Sequence, residues 1–415
     1  MADTYQPMFN RTYLKVLLWV IAIAIVLLSA SGRDTNDYLD IQRIENKPVY
    51  FTDLNDAADL SVQMIFALGP ALNDQQKLLH KLLAKRIQHT LSSQEVAEQL
   101  APLQANIQLS LQDDRFTLLL SIPANRAINT DQLTQLQQHL IKTLSRSDLN
   151  TGTEAEWARL KAEQYLENQA SENHLLSVLT ATLTDDSSVH PLQRFSAWAN
   201  NTLSTDNLYM AIHGPDAATA AQALAAALPA RQQFAAPRLA SQGLIQRQTL
   251  PATGNEAYTL IGQKLPGRQS ENFTAQLIAV KSLQRALPTI QPEVSSRLIW
   301  KSLDRQGYFA LLLYGQRPPA DTDQLAPINK RLLAATSDDV IDATRTMIKD
   351  NFLQQMSEQP AQLALLNTLA FYQLPLDYIS GFATRLSDTG NDQVREQLNN
   401  MLNTNEQQFI YLPAR

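Results

Sequence analysis

Three lysines recur at every fourth position of one predicted helix. Residues 75–90 (QQKLLHKLLAKRIQHT) have the apolar periodicity of an amphipathic helix, and Lys77, Lys81 and Lys85 share one side of it. Two like charges about 4 Å apart repel by several kcal/mol at an effective dielectric constant of about 20, and a dication among ammonium groups meets the same repulsion. The lysine spacing therefore argues against a metal centre on this face of the helix.

The histidines do not supply an alternative set of metal ligands. His80 lies on the same predicted helix, but His89 follows nine residues later, so the two are not an i, i+4 ligand pair. None of the remaining histidines has metal-ligand spacing with another: His139, His174, His190 and His213. The chain contains no cysteine, which excludes disulfides, thiolate metal sites and cysteine nucleophiles.

The composition is that of a globular protein with room for two or three domains. Of the 415 residues, 44% are hydrophobic and 18% are charged, which excludes a wholly disordered chain. The net charge of -6 and the lack of a basic stripe argue against a nucleic-acid partner.

An uninterrupted apolar run occupies residues 16–30 (VLLWVIAIAIVLLSA). With its flanking residues, this run is just long enough to cross a bilayer core of about 30 Å. Arg11 and Lys15 precede the run and acidic residues follow from Asp34, a charge bias that predicts a cytoplasmic N-terminus and an exported body. A cleaved signal peptide is the alternative interpretation, and it exports the body as well.

The region after this run has the pattern of an α+β unit. Val62, Met64 and Phe66 alternate toward one face, which predicts a half-buried strand ahead of the lysine-bearing helix. Two further alternating runs meet at Asp113 and Asp114, which predicts a hairpin with an Asp-Asp turn. The other elements predicted here are helices at 131–144, 153–176 and 217–227 and a strand from Asn207.

The second half of the chain repeats this order and indicates an internal duplication. We predict a strand at 257–265, a helix at 273–286, a helix ending near Leu303, a strand at 307–315, helices from Asp321 onward and a last strand at 408–413. The predicted domains are a cytoplasmic N-terminus with a transmembrane anchor at 1–31, a linker at 32–47, a first domain at 48–228, an interdomain linker at 229–254 and a second domain at 255–415.

Three stretches carry a family pattern. The chain reads VHPLQRFSAWANNTLSTDNLYMAIHGPD from Val189, SSRLIWKSLDRQGYFALLLYG from Ser295 and LALLNTLAFYQLPLDYISGFATRLSDTG from Leu363. In that order, these stretches resemble segments of the insulinase/pitrilysin zinc peptidases, an inverzincin family that includes mitochondrial processing peptidase. The resemblance implies two homologous insulinase-like α/β-sandwich domains, each a mainly antiparallel sheet packed by helices.

The zinc motif of that family, H-x-x-E-H, is absent from the helix where the resemblance places it. One register puts His80, Leu83 and Ala84 at the first His, the Glu and the second His of the motif. The register shifted by one residue puts Lys81, Ala84 and Lys85 there. Neither register keeps a pair of ligands or a general base.

Other functional positions of the family are only partly matched. For the distal Glu ligand, about 75 residues further on, the chain offers Glu156, Glu163 and Glu167. Active members also use an Arg and a Tyr of the second domain at the peptide carbonyl region, and these positions fall on Lys301 and Tyr308. Lysine keeps the charge but lacks the bidentate fork of arginine. Lys301 and Tyr308 are the candidates for a residual substrate contact, although the pattern favours Tyr308 as the first aromatic residue of a buried strand.

The resemblance and the missing motif together imply a pseudo-peptidase that holds no cofactor. The leading hypothesis is a non-catalytic periplasmic subunit, anchored in a bacterial inner membrane, that pairs with and supports an active zinc peptidase of the same fold. It would be similar to the non-catalytic subunits of mitochondrial processing peptidase-like complexes. The alternative is a stand-alone, homodimeric periplasmic protein that binds peptides or acts as a scaffold. A divergent active metallopeptidase is a third hypothesis, and it requires a metal site built from other residues.

Overall fold

A computed structural model describes residues 38–69, 71–124, 129–146, 152–183, 191–230, 245–289, 294–304 and 306–415. The predicted membrane anchor at residues 1–31 lies outside these ranges. Within these ranges, no helix combines the length and the apolar character needed to cross a membrane.

Eleven strands of the described chain form two sheets. The first sheet consists of β1 (Gln42–Arg43), β2 (Val49–Asp53), β3 (Asp59–Ala67), β4 (Asn106–Leu111), β5 (Arg115–Pro123) and β6 (Leu208–Gly214). The second consists of β7 (Arg247–Thr249), β8 (Ala257–Pro266), β9 (Val294–Ser302), β10 (Gln306–Gly315) and β11 (Gln408–Leu412). The strand orders are β1-β2-β6-β3-β5-β4 and β7-β11-β8-β10-β9, and only the β2–β6 and β7–β11 pairs are parallel. The α+β class with two mainly antiparallel sheets, predicted from the sequence, is confirmed.

Thirteen α-helices in the described ranges pack against these sheets. They are α1 (Asp74–Leu91), α2 (Gln94–Leu100), α3 (Thr130–Arg146), α4 (Thr153–Glu167), α5 (Ser171–Thr182), α6 (Pro191–Thr202), α7 (Ala217–Ala226), α8 (Phe273–Ala286), α9 (Thr322–Ala335), α10 (Asp338–Met356), α11 (Gln359–Tyr372), α12 (Phe382–Asp388) and α13 (Asn391–Met401). Helix α1 is the predicted lysine-bearing helix.

Strand β3 is buried on both faces, not on one face as predicted. Val62, Met64 and Phe66 point into the core that the first sheet shares with α1, and Ile65 on the opposite face is fully buried as well. Helix α11 lies over that second face, where the Asn367 amide donates a hydrogen bond to Gln63 Oε1 at 2.8 Å. The alternation of residues along β3 could not predict that its second face is covered, because α11 comes from a distant part of the chain.

Each half of the chain contributes one helix that packs on the sheet of the other half. Helix α11, from the second half, covers the first sheet, whereas α5, from the first half, packs on β8 and β11 of the second sheet. Leu175 and Leu179 of α5 share a core with Leu260 and Ile410. Residues Leu39–Arg415 form one compact unit as a result. The predicted boundaries at 228 and 255 stay a prediction.

Four predicted elements differ from the structure. The helix predicted at 153–176 is two helices, α4 and α5, separated at residues 168–170. The helix predicted to end near Leu303 is strand β9, because this segment pairs with β10 along its whole length and has a strand-forming centre of Leu298, Ile299 and Trp300. Strands β1 and β7 lie inside the two segments predicted as linkers, 32–47 and 229–254.

Candidate functional site

Helix α1 is anchored at its start and along its apolar side, which fixes where its polar side chains point. Asn73 caps the helix by accepting a hydrogen bond from the Gln76 N–H at 2.8 Å, and the Gln76 side chain bonds back to Asn73. The buried residues of the helix include Leu78, Leu82, Leu83 and Ile87. Because these residues recur on one side, the lysines are turned toward the surface.

His80 is buried, unlike the lysines on either side of it. Its ring lies parallel to the Trp198 indole with 5.8 Å between the ring centres, and only 4% of the residue is exposed. Burial lowers the pKa of His80 to about 4, although a backbone hydrogen bond with Leu68 and the charge of Asp113 both act to raise it. His80 Nδ1 has no hydrogen-bond partner in the described chain. His80 is therefore a neutral core residue that stacks on a tryptophan.

The other motif positions do not form a zinc site either. Leu83 is fully buried in the core of the first sheet, so the catalytic Glu position of one register is filled by an apolar side chain. Lys81 Nζ lies 3.6 Å from Glu167 Oε1, and the pair is partly exposed to solvent. Lys85 is exposed. One of the three candidate distal carboxylates, Glu167, thus reaches the helix, although it lies 86 residues after Lys81 and not about 75, and it meets an ammonium group there.

The two remaining candidate distal carboxylates form ion pairs with an arginine of their own helix. Glu156 Oε1 lies 2.5 Å and Glu163 Oε1 3.7 Å from the guanidinium of Arg159, so both are bound within α4 itself. Among the residues that the structure describes, no group of three or more His, Asp or Glu side chains is placed to hold a metal ion. The residues at this site do not fit the zinc that the fold family implies.

Lys301 and Tyr308, predicted as the residual substrate contact, lie opposite each other on the neighbouring strands β9 and β10. They are directly paired in the β9–β10 register. Tyr308 is 7% exposed, and burial, together with the charge of Asp113, raises the pKa of its hydroxyl to about 12. The Tyr308 hydroxyl therefore stays protonated near neutral pH. The structure places Tyr308 in a buried strand and leaves its contact with a substrate a prediction.

Asp113 is the residue that sequence reasoning missed at this site. Its Oδ2 lies 2.6 Å from Lys301 Nζ, and its charge also acts on His80 and Tyr308. The sequence interpretation assigned Asp113 to a hairpin turn, which is correct for the backbone but says nothing about the distant strand that the turn approaches. The Asp113 carboxylate is thus already paired with Lys301, the lysine that was predicted to contact a substrate.

The neighbouring Asp114 belongs to a buried polar cluster that joins the turn to α11. Asp114 Oδ2 accepts a hydrogen bond from the Tyr372 hydroxyl at 2.7 Å, and Asp114 Oδ1 lies 2.9 Å from the guanidinium of Arg115. Arg115 Nε donates to Asn367 Oδ1 at 3.1 Å, and its guanidinium lies over the rings of Phe371 and Tyr372. The Asp-Asp turn is therefore fixed to both the second sheet and α11.

Comparison with solved structures identifies the fold. The chain is similar to a peptidase M16 inactive domain from Pseudomonas fluorescens, with a TM-score of 0.63 and 14% identity over 91% of this chain and 98% of that one. It is also similar to the periplasmic protease PqqL from Escherichia coli, with a TM-score of 0.59 and 14% identity over 91% of this chain and 46% of that chain. A chain of complex III2 from Candida albicans matches with a TM-score of 0.55 and 13% identity over 90% of this chain and 95% of that one.

These similarities define an insulinase-like fold, the fold of M16 peptidases and of their inactive domains. No protein-family model and no curated protein matches the sequence. The family resemblance found in the sequence is thus supported by the tertiary structure.

Proposed function

We propose that this protein is a non-catalytic, insulinase-like subunit that pairs with an active zinc peptidase of the same fold. The observation that carries the proposal is the contact between Lys81 and Glu167. In this contact the two helices are arranged as in an M16-like fold, but an ammonium group stands where a catalytic member needs a zinc ligand. Such a chain contributes interface area and substrate enclosure, and the chemistry belongs to its partner.

The position of Asp113 supports the same proposal. Lys301 is the residue left to bind a peptide by charge, and the carboxylate of Asp113 lies 2.6 Å from it. A substrate that uses this lysine must displace an exposed ion pair worth at most about 1 kcal/mol, so Asp113 weighs slightly against independent peptide capture. Occurrence of this fold in complex III2 of another organism shows that the fold can serve within an assembly.

The proposal includes a location. The apolar run at residues 16–30 would anchor the chain in a bacterial inner membrane with its body in the periplasm. Protease added to spheroplasts should degrade the body to a small, membrane-retained fragment. Full protection of the chain in intact spheroplasts, with degradation only after lysis, would contradict this location.

Affinity purification of the full-length chain from detergent-solubilised native membranes tests the pairing. We expect stoichiometric recovery of a zinc peptidase of the same fold, identified by mass spectrometry. An unrelated single-pass protein purified in the same way controls for membrane carry-over. Recovery of this chain alone would contradict the pairing and favour the alternative, a stand-alone homodimeric peptide-binding or scaffold protein.

Metal analysis of the purified chain tests the third hypothesis, a divergent active metallopeptidase. We expect zinc far below one equivalent per chain, because the residues around Lys81 offer no ligand set. One equivalent of zinc that survives dialysis against a weak chelator would contradict the non-catalytic assignment.

A further inference from the structure

Each sheet has one short edge strand and one long edge strand. The short edges are β1, with 2 residues, and β7, with 3, whereas the long edges are β4, with 6, and β9, with 9. Strand β9 pairs with β10 in an unbroken register, and no strand of the described chain lies on its other side. The outer row of backbone N–H and C=O groups of such a strand is a template for pairing with another strand.

The usual protections of an edge strand are weak on β9. The strand contains no proline and no bulge, and its charged residues are Arg297 and Lys301. Arg297 forms an ion pair with Glu172 of α5, and Lys301 forms one with Asp113. Because both cations are neutralised within the chain, they do not repel an incoming strand as unpaired lysines would.

We propose that β9 pairs with β9 of a second copy of this chain, antiparallel about a two-fold axis at Leu298. In this register Leu298 faces itself, and four other pairs repeat on both sides of the axis: Arg297 with Ile299, Ser296 with Trp300, Ser295 with Lys301, and Val294 with Ser302. No two like charges are directly opposite each other, and every cation faces an uncharged residue. The register thus avoids directly opposed like charges and uses the same patch on both copies, as a two-fold interface requires.

The same register brings apolar side chains together. Alternate residues share a face, so Leu298 and Trp300 lie on the side where Trp300 stacks on Phe273 with 5.7 Å between ring centres. Both residues are only partly buried in one chain. Across the axis, Trp300 and Leu298 of the second copy are diagonal neighbours within reach of an aromatic ring. Pairing therefore buries this apolar stripe and joins two five-stranded sheets into one.

The other face of the paired strands carries the cations. Lys301 and Arg297 of the second copy are also diagonal neighbours. Each cation keeps its own carboxylate, Asp113 for Lys301 and Glu172 for Arg297, which reduces the repulsion between them.

A cysteine cross-link tests the register directly, because the native chain has no cysteine. Leu298→Cys places two thiols directly opposite each other, about 4.5–5.5 Å apart at Cβ, which a disulfide can bridge with a small adjustment. We expect mild oxidation of the full-length variant in detergent to give a covalent dimer. Ser296→Cys is the matched control on the same strand, because its partner is Trp300 and not itself. It should remain monomeric on denaturing gels.

Sedimentation velocity of the unmodified full-length chain gives the second measurement. We expect a concentration-dependent dimer and, for Leu298→Lys, a dissociation constant raised by about tenfold or more, since two ammonium groups then face each other. Gln108→Lys on β4, the other long edge, should leave the dimer unchanged. A monomer at all concentrations, equal cross-linking of the Ser296 variant, or loss of the dimer with the Gln108 variant would each overturn the proposal.

Discussion

Asp113 Oδ2 lies 2.6 Å from Lys301 Nζ and so connects the β4–β5 turn of the first sheet to β9 of the second. One residue further on, Asp114 turns inward to Arg115 and Tyr372. Two adjacent carboxylates thus hold the same turn in different ways. The Lys301–Asp113 pair is 47% and 43% exposed, whereas the Arg115–Asp114 pair is 7% and 2% exposed.

This difference in exposure predicts different costs of removing each charge. Asp113→Asn should lower the free energy of unfolding by at most about 1 kcal/mol, because exposed ion pairs contribute little. Asp114→Asn should cost about 3–5 kcal/mol, since it leaves the buried guanidinium of Arg115 without its carboxylate. Urea denaturation of both variants checks the prediction, and each serves as the control for the other. Equal losses would contradict it.

His80 should make stability depend on pH. Its pKa is lowered by burial to about 4 in the folded chain, compared with 6.5 for the unfolded side chain. Between these values the unfolded state binds more protons than the folded state, so stability is complete above pH 6.5 and falls as the pH drops toward 4. The full loss from this one group is about 3 kcal/mol.

His80→Phe should remove part of that pH dependence while keeping an aromatic ring against Trp198. Burial also lowers the pKa of His213, which contributes in the same direction, so some dependence should remain. Thermal unfolding measured across this pH range is the test, with His89→Gln on the exposed end of α1 as the control. An unchanged pH profile for His80→Phe would show that His80 is not the titrating group.

The contact between Lys81 and Glu167 decides which of the two motif registers the fold can use. Lys81→His, Ala84→Glu and Lys85→His together should create a zinc site, because the first of these positions already lies beside the distal carboxylate. We expect a dissociation constant of about 1 µM or tighter by calorimetry. Adding Glu167→Gln should weaken binding by about tenfold or more, since it removes one ligand.

The other register should fail for a structural reason. Leu83→Glu with Ala84→His keeps His80 but places a carboxylate where Leu83 is fully buried. An unpaired buried carboxylate costs several kcal/mol, so this variant should unfold at much lower urea concentration and bind no zinc. Zinc binding by this folded variant would contradict the register that we assign.

Gly262 tests the exchange of helices between the two halves. A Cβ atom there would lie 2.6 Å from a methyl carbon of Leu179 on α5 and 2.7 Å from the carbonyl oxygen of Phe309. Gly262→Ala should therefore cost about 1–3 kcal/mol through overpacking. Gly254→Ala is the matched control, because nothing lies within 4 Å of its added carbon. Equal stability of the two variants would contradict close packing of α5 on β8.

Much of the fold could be predicted from local pattern. Alternation at Val62, Met64 and Phe66 located β3, and the periodic leucines of α1 located the helix that carries the candidate site. The pattern failed at β9, where a short apolar centre suits a helix or a strand equally well and only pairing with β10 decides between them.

The sequence by itself determined that the zinc motif is missing and that no cysteine chemistry is available, and it predicted two similar halves and most of their strands and helices. These are statements about residue type and spacing, which need no distant contact. Tertiary structure alone decided that His80 is buried, that Glu167 contacts Lys81 and that Asp113 contacts Lys301. It also decided that α5 and α11 each pack on the sheet formed by the other half of the chain. Each of these contacts joins residues that are far apart in the chain. The packing of whole helices and strands brings them together, and neither segment shows it as a pattern in its own sequence.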